Sequence, residues 1–98
     1  MDPTKGHEQR GRRPALVITR RLYNEKSGLC LACPITSQVK GYPFEVAIPP
    51  DQFVTGAVLA DQLRSLSWPD RNIRIIGPAP QQVLDEVRAK IAALIGIA

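Results

Sequence analysis

Ala15-Leu16-Val17-Ile18-Thr19-Arg20-Arg21-Leu22-Tyr23-Asn24-Glu25-Lys26-Ser27-Gly28-Leu29-Cys30-Leu31-Ala32-Cys33-Pro34 holds two apolar, β-prone runs separated by a polar stretch. Residues 15–19 are rich in strand-forming side chains, residues 23–28 carry turn residues, and residues 29–34 resume an apolar run. The whole reads as a hairpin of two paired strands. Cys30 and Cys33 have the C-x-x-C spacing, but an offset of three on a strand sends the two side chains to opposite faces, so they should not pair. A structural zinc site needs four ligands, where this chain offers those two and His7, and a thioredoxin-type pair belongs at a helix start. Both cysteines therefore read as small buried apolar residues.

Immediately upstream, Glu8-Gln9-Arg10-Gly11-Arg12-Arg13 forms a charged, glycine-containing loop that enters the first strand through Pro14. The proline ring biases Arg13 toward extended backbone, which holds its guanidinium at a strand mouth. A fixed fork of donors there suits a phosphate. Arg10, Arg12 and Arg13 acting only to keep a loop soluble is the competing reading.

Downstream, Lys40-Gly41-Tyr42-Pro43 breaks the chain before Phe44-Glu45-Val46-Ala47-Ile48, an alternating third strand ended by Pro49-Pro50-Asp51. Gly56-Ala57-Val58-Leu59-Ala60-Asp61 and Ile73-Arg74-Ile75-Ile76 are two further candidate strands, separated by Ser65-Leu66-Ser67-Trp68-Pro69-Asp70, a polar turn with one large anchor. The last segment is the only convincing helix. Val83, Leu84, Val87, Ile91, Leu94 and Ile95 recur at three- and four-residue intervals and should be buried. Pro80 suits its first turn and Gly96 a left-handed stop. The pattern predicts a mainly β chain, 1–98 as a single domain: an antiparallel sheet curled into a small barrel, with a C-terminal helix.

Ninety-eight residues support one core, near the size where self-association often adds stability. Hydrophobic residues make up 44% and charged residues 22%, as in folded soluble chains. No apolar run approaches the ~18 residues needed to span a bilayer. The polar opening Met1-Asp2-Pro3-Thr4-Lys5-Gly6 is unlike a secretory signal, so the expected compartment is the cytoplasm. A net charge of +4 and a pI near 9.5 favour an acidic partner, nucleic acid or polypeptide.

The familiar catalytic templates are missing: no paired carboxylates at metal-binding spacing, no phosphate loop ending in Lys-Ser/Thr, and no Ser or Cys with an obvious His partner. With His7 alone, a two-histidine ribonuclease mechanism cannot be built within one chain. An enzyme made from this sequence would use Arg, Glu, Thr or Ser. RNA suits that set because its 2′-hydroxyl is a built-in nucleophile. The protein then needs to position the phosphodiester and stabilise charge on its nonbridging oxygens, which Arg13 and Thr36 can do.

The chain resembles the MazF/PemK-like toxins of bacterial toxin–antitoxin modules. The blocks that carry the likeness are Asp2-Pro3-Thr4-Lys5-Gly6, Glu8-Gln9, Gly11, Arg13-Pro14-Ala15, Pro34-Ile35-Thr36-Ser37-Gln38 and Lys40-Gly41-Tyr42-Pro43-Phe44-Glu45-Val46. Ala60-Asp61-Gln62, Ser65-Leu66-Ser67-Trp68 and Lys90-Ile91-Ala92-Ala93-Leu94-Ile95-Gly96 follow in order. The resemblance implies an SH3-like barrel with a C-terminal helix, a homodimer, and metal-independent, cofactor-free cleavage of single-stranded RNA at short sequences. The products would be a 2′,3′-cyclic phosphate and a 5′-hydroxyl. It assigns catalysis to Arg13 and Thr36, with Glu8 in support, and RNA binding to Lys5, Arg12, Ser37, Gln38 and Lys40. It further implies neutralisation by the acidic tail of a MazE-like antitoxin.

Other readings accompany these assignments. Thr36 alone could be a capping residue, and Gln38 and Lys40 a solvated loop tip. Trp68 reads as a core or dimer-interface anchor, while Tyr23 and Tyr42 are the better base-stacking candidates. The resemblance implies that relatives begin about one strand earlier, so Met1 is expected at the end of that strand and the first barrel strand is expected to be missing. The expectation is an unpaired sheet edge and uncovered apolar surface, from a late start codon, a truncated chain or a degenerate copy. Arg12 stands where some relatives have His. A weakened toxin that only binds antitoxin is the alternative function. A gyrase-directed toxin is less favoured, since Leu94-Ile95-Gly96-Ile97-Ala98 lacks the aromatic residue that activity requires.

Overall fold

The computed structural model describes residues 13–97. In chain order these form β1 (Ala15–Val17), α1 (Arg21–Ser27), β2 (Leu29–Thr36), β3 (Glu45–Ala47), β4 (Ala57–Leu59), β5 (Arg64–Ser67), a 3-10 turn (Trp68–Asp70) and α2 (Gln81–Ile95). All strand pairing is antiparallel. β2 serves three partners: β5 along residues 29–32, β1 along residues 32–34, and β4 at Ile35 and Thr36. β3 then pairs with β4. Antiparallel strands with a C-terminal helix are the architecture expected, but the described sheet is not closed into a barrel. β1 and β3 end the strand path, and among the described residues β1 pairs only with β2 and β3 only with β4.

The β1–β2 pairing matches the predicted hairpin, but the connection is a helix rather than a turn. α1 buries no side chain, so it leaves no apolar stripe in the sequence. Local chemistry holds it instead. Gly28 adopts φ 73° and its N–H donates to the Asn24 carbonyl at 3.1 Å, a left-handed helix stop. The Trp68 indole N–H donates to the same carbonyl at 2.9 Å. Trp68 thus anchors α1 while remaining 36% exposed, outside the core.

Two other segments differ from expectation. Ser65, Leu66 and Ser67, read as a turn, lie in β5, because β2 offers them a ladder: Cys30 pairs with Leu66 and Leu29 with Ser67. Residues 73–76, read as a strand, have no ladder partner among the described residues and run as irregular chain. Together with Val17, Ala32 and Phe53 they line an apolar cavity of about 310 Å³.

α2 follows its predicted span, with Pro80 just before the first helical residue and Gly96 in the left-handed conformation after the last. Val83 and Val87 are buried against Leu16, Val46 and Val58, with Leu84 and Ile91 partly buried beside them. The stripe overruns the core: Leu94 and Ile95 are 59% and 65% exposed. Arg88 ties the helix to the sheet, donating from Nε and Nη2 to the Ile18 carbonyl at 3.0 and 2.6 Å. Among the described residues no helix is long and apolar enough to cross a membrane.

Val87 is fully buried and Leu22 is 65% exposed. Val87→Ala should therefore cost about 2 kcal/mol in urea unfolding, and Leu22→Ala less than about 0.5 kcal/mol. Equal losses would contradict this assignment of the core.

Candidate active site

The β1–β2 ladder brings together two residues far apart in sequence. Ala15 pairs with Pro34, and the alignment continues past the strand end, where the Ile35 N–H donates to the Pro14 carbonyl at 3.1 Å. One step further, the same register sets Arg13 across from Thr36. Arg13 is exposed, as expected for a guanidinium presented at a strand mouth, and Thr36 is half-buried at the end of β2.

Thr36 Oγ1 accepts the Gln38 N–H at 3.0 Å. This is the local turn that the capping reading anticipated, and it leaves the threonine useful. With a lone pair engaged, the hydroxyl hydrogen points elsewhere, and among the described residues it meets no acceptor. A cation and a hydroxyl donor at one edge of the sheet have the chemistry to hold an anionic oxygen between them. Ser37, Gln38 and Lys40 follow on the same loop, all exposed. Lys5, Glu8 and Arg12 lie outside the described residues.

Two residues that shape this site were given no role by sequence reasoning. Gly56 has φ +116°, and a β-carbon there would overlap the Thr36 backbone carbonyl and crowd Ser37. Its carbonyl accepts the Ile48 N–H at 2.9 Å, which ties Gly56 to the residue that follows β3. Glu45 receives the N–H groups of Lys40 and Gly41 on its carboxylate, Gly41 at 2.8 Å. The available signals were a glycine opening a candidate strand and a carboxylate on an otherwise apolar one. Neither is specific without tertiary contacts.

Of the two tyrosines, Tyr42 stays close to the site. Its ring stacks on Phe44 with centroids 5.3 Å apart and is half exposed. Tyr23 lies on α1, at the opposite end of β2 from Thr36, and is not a partner for this site. Cys30 and Cys33 are free and buried, as the strand reading required. Burial, reinforced by Asp61, pushes the Cys33 thiol up to about 11, and burial also raises Cys30. Neither is a nucleophile near neutral pH.

A family model for the PemK-like, MazF-like toxin of type II toxin-antitoxin systems matches residues 1–95. This chain is similar to the endoribonuclease toxin MazF of Escherichia coli strain K12, 47% identical over 95 residues, which covers 97% of this chain and 85% of that one. It is also similar to the endoribonuclease PemK of Escherichia coli, at 29% identity, covering 97% of this chain and 74% of that one. Among solved structures, MazF of Deinococcus radiodurans matches with TM-score 0.84 at 53% identity, covering 96% of this chain and 86% of that chain. A MazE-MazF structure from the same organism matches with TM-score 0.85 at 50% identity, covering 89% and 88% of the two chains.

Gly56→Ala combines an unfavourable positive φ with a clash at Thr36, so it should cost at least about 1–2 kcal/mol and shift the Thr36 and Ser37 amide resonances. Unshifted resonances would argue against the close approach. Because the folded Cys33 thiol holds its proton to higher pH than the unfolded one, its contribution to stability is intact below the ordinary thiol range. It falls as pH rises toward about 11. Urea melts of Cys33→Ala should show a weaker loss of stability between pH 9 and 11 than the parent.

Proposed function

Since this chain belongs to the PemK-like, MazF-like toxins of type II toxin–antitoxin systems, we propose that it is an endoribonuclease toxin. It cleaves single-stranded mRNA at a short sequence without a metal, leaving a 2′,3′-cyclic phosphate and a 5′-hydroxyl. The observation that carries this reading is the β1–β2 register, which sets Arg13 across from Thr36.

In the reaction the 2′-oxygen attacks the adjacent phosphorus and the bond to the 5′-oxygen breaks. The 2′ proton is removed and the leaving 5′-oxygen gains one, so no water is consumed in this step. Negative charge builds on the nonbridging oxygens of the transition state. Arg13 supplies a planar fork of donors to that charge, and Thr36 donates its hydroxyl hydrogen to one oxygen. Guanidinium is too weak an acid to serve readily as a general base, so an arginine suits charge stabilisation better than proton abstraction. Glu8 takes a supporting role from the preceding loop. Lys5, Arg12, Ser37, Gln38 and Lys40 bind the RNA. DNA, lacking the 2′-hydroxyl, is not cut.

The chain acts in the cytoplasm as a homodimer and is neutralised by an acidic antitoxin tail. A net charge of +4 supports both partners. The MazE-MazF complex from Deinococcus radiodurans supports an antitoxin of the same kind here.

Incubation of the purified chain with a long single-stranded RNA in excess EDTA, followed by mapping of the ends, should give cuts at one short motif. Arg13→Lys keeps the charge and loses the fork, so the rate should fall about 100-fold or more with little change in melting temperature. A folded Arg13→Lys variant cutting at the parent rate removes Arg13 from the mechanism. A folded parent that binds antitoxin peptide and leaves RNA intact favours the binding-only reading.

A further inference from the structure

Glu45 contacts three successive residues of the loop that carries Gln38 and Lys40. Its backbone N–H donates to the Tyr42 carbonyl at 3.0 Å. Its carboxylate accepts the Lys40 N–H at 3.2 and 3.3 Å and the Gly41 N–H at 2.8 Å. Two consecutive amide N–H groups converging on one anion form a backbone nest, filled here by the chain's own side chain. Gly41, at φ 81°, supplies the left-handed residue that turns its N–H back toward β3.

The anchor for this clamp is rigid. Glu45 pairs with Leu59 in the β3–β4 ladder, and the neighbouring Phe44 carbonyl accepts the Ala60 N–H at 3.1 Å. At its other end the loop leaves Thr36, whose Oγ1 holds the Gln38 N–H. Two side chains, on strands β2 and β3 that both pair with β4, therefore fix both ends of the loop, and between them stand Ser37, Gln38 and Lys40, all exposed. Next to the clamp, Tyr42 is stacked on one face by Phe44 and half exposed. An aromatic ring held in this way is a surface on which a base can stack.

We propose that Glu45 is a positioning residue for target recognition: its carboxylate sets the loop geometry with which Gln38, Lys40 and Tyr42 meet the RNA. This rests on the ribonuclease reading above. Glu45 contacts no reacting atom in this scheme and acts through the Lys40 and Gly41 amides. Loss of the clamp leaves Arg13 and Thr36 on the β1–β2 ladder, so the damage falls on RNA binding and sequence preference more than on the chemical step.

The test uses the full 98-residue chain with Glu45→Ala and Glu45→Gln. Amide hydrogen exchange at Lys40 and Gly41 is read by NMR, and cleavage kinetics are followed on the mapped motif and on single-base variants of it. Glu45→Ala should speed exchange at both amides. It should raise KM roughly tenfold and reduce discrimination among variants by a similar factor, with a smaller change in kcat. Glu45→Gln retains an amide oxygen for the Gly41 N–H and should lie between Ala and the parent in all three readouts. Faster exchange with unchanged KM and discrimination overturns the proposal alone. Unchanged exchange in a folded Glu45→Ala overturns the clamp itself. A parent that leaves all RNA uncut overturns the ribonuclease reading, and the recognition role falls with it, whatever the exchange shows.

Discussion

Backbone hydrogen bonding along both edges of β2 is the constraint on which the remaining structure depends. Ala32 is paired on one edge with Val17 and on the other with Arg64, so the middle of the strand has no free ladder position. Toward its end the strand passes to β4, which brings β3 and the buried Val46 and Val58 under α2. Side chains alternate along β2, so one slip in register would exchange the faces of Ala32 and Cys33 and unseat the core. The same slip would move Thr36 away from Arg13. Fold and site therefore share one determinant, the alignment of β1 on β2.

The site is assembled from groups that are individually ordinary. An exposed arginine follows a polar loop in many proteins, and a threonine that closes a local turn is common. The β1–β2 alignment, extended past Ala15, sets one of them opposite the other, and the joint use proposed for them depends on that alignment. Gly56 then lets the β3–β4 turn press against the Thr36 backbone, while Glu45 draws the following loop back to β3. Sites carried on loops gain precision when rigid elements hold both ends, and here the loop between Thr36 and Glu45 runs between two strands that both pair with β4.

The sequence made the core elements of this arrangement legible where a side-chain period existed. α2 is the clearest case, since Val83 and Val87 stand one turn apart and both are buried. The stripe still overstated burial at Leu94 and Ile95, because periodicity marks a face without saying how far the sheet beneath it extends. α1 was invisible for the opposite reason: it buries nothing, and Asn24, Ser27 and Gly28 are turn residues that here terminate a helix. β5 and residues 73–76 exchanged roles because a strand is defined by its neighbour. Arg64 and the serines have weak β-propensity yet lie beside β2, whereas the isoleucines at 73, 75 and 76 have strong propensity and no ladder among the described residues. At the candidate site, Arg13 drew notice by its place before Pro14 at a strand mouth, and the family resemblance gave it and Thr36 their proposed catalytic role. Glu45 and Gly56 act through backbone contacts across distant segments, which one sequence does not display.

Trp68 is the chain's single tryptophan, and its place at the β5 end gives the molecule a localised optical signal. The indole N–H is bonded to Asn24 of α1, next to the Leu29–Ser67 pair that starts β2. Thr36 lies seven residue steps away along the strand, about 23 Å at the usual rise of ~3.3 Å per residue. Intrinsic fluorescence therefore watches the docking of α1 and is nearly blind to events at Arg13 and Thr36. An emission change on adding a nucleic acid or peptide would report a disturbance carried the length of β2, or contact at the opposite pole of the molecule.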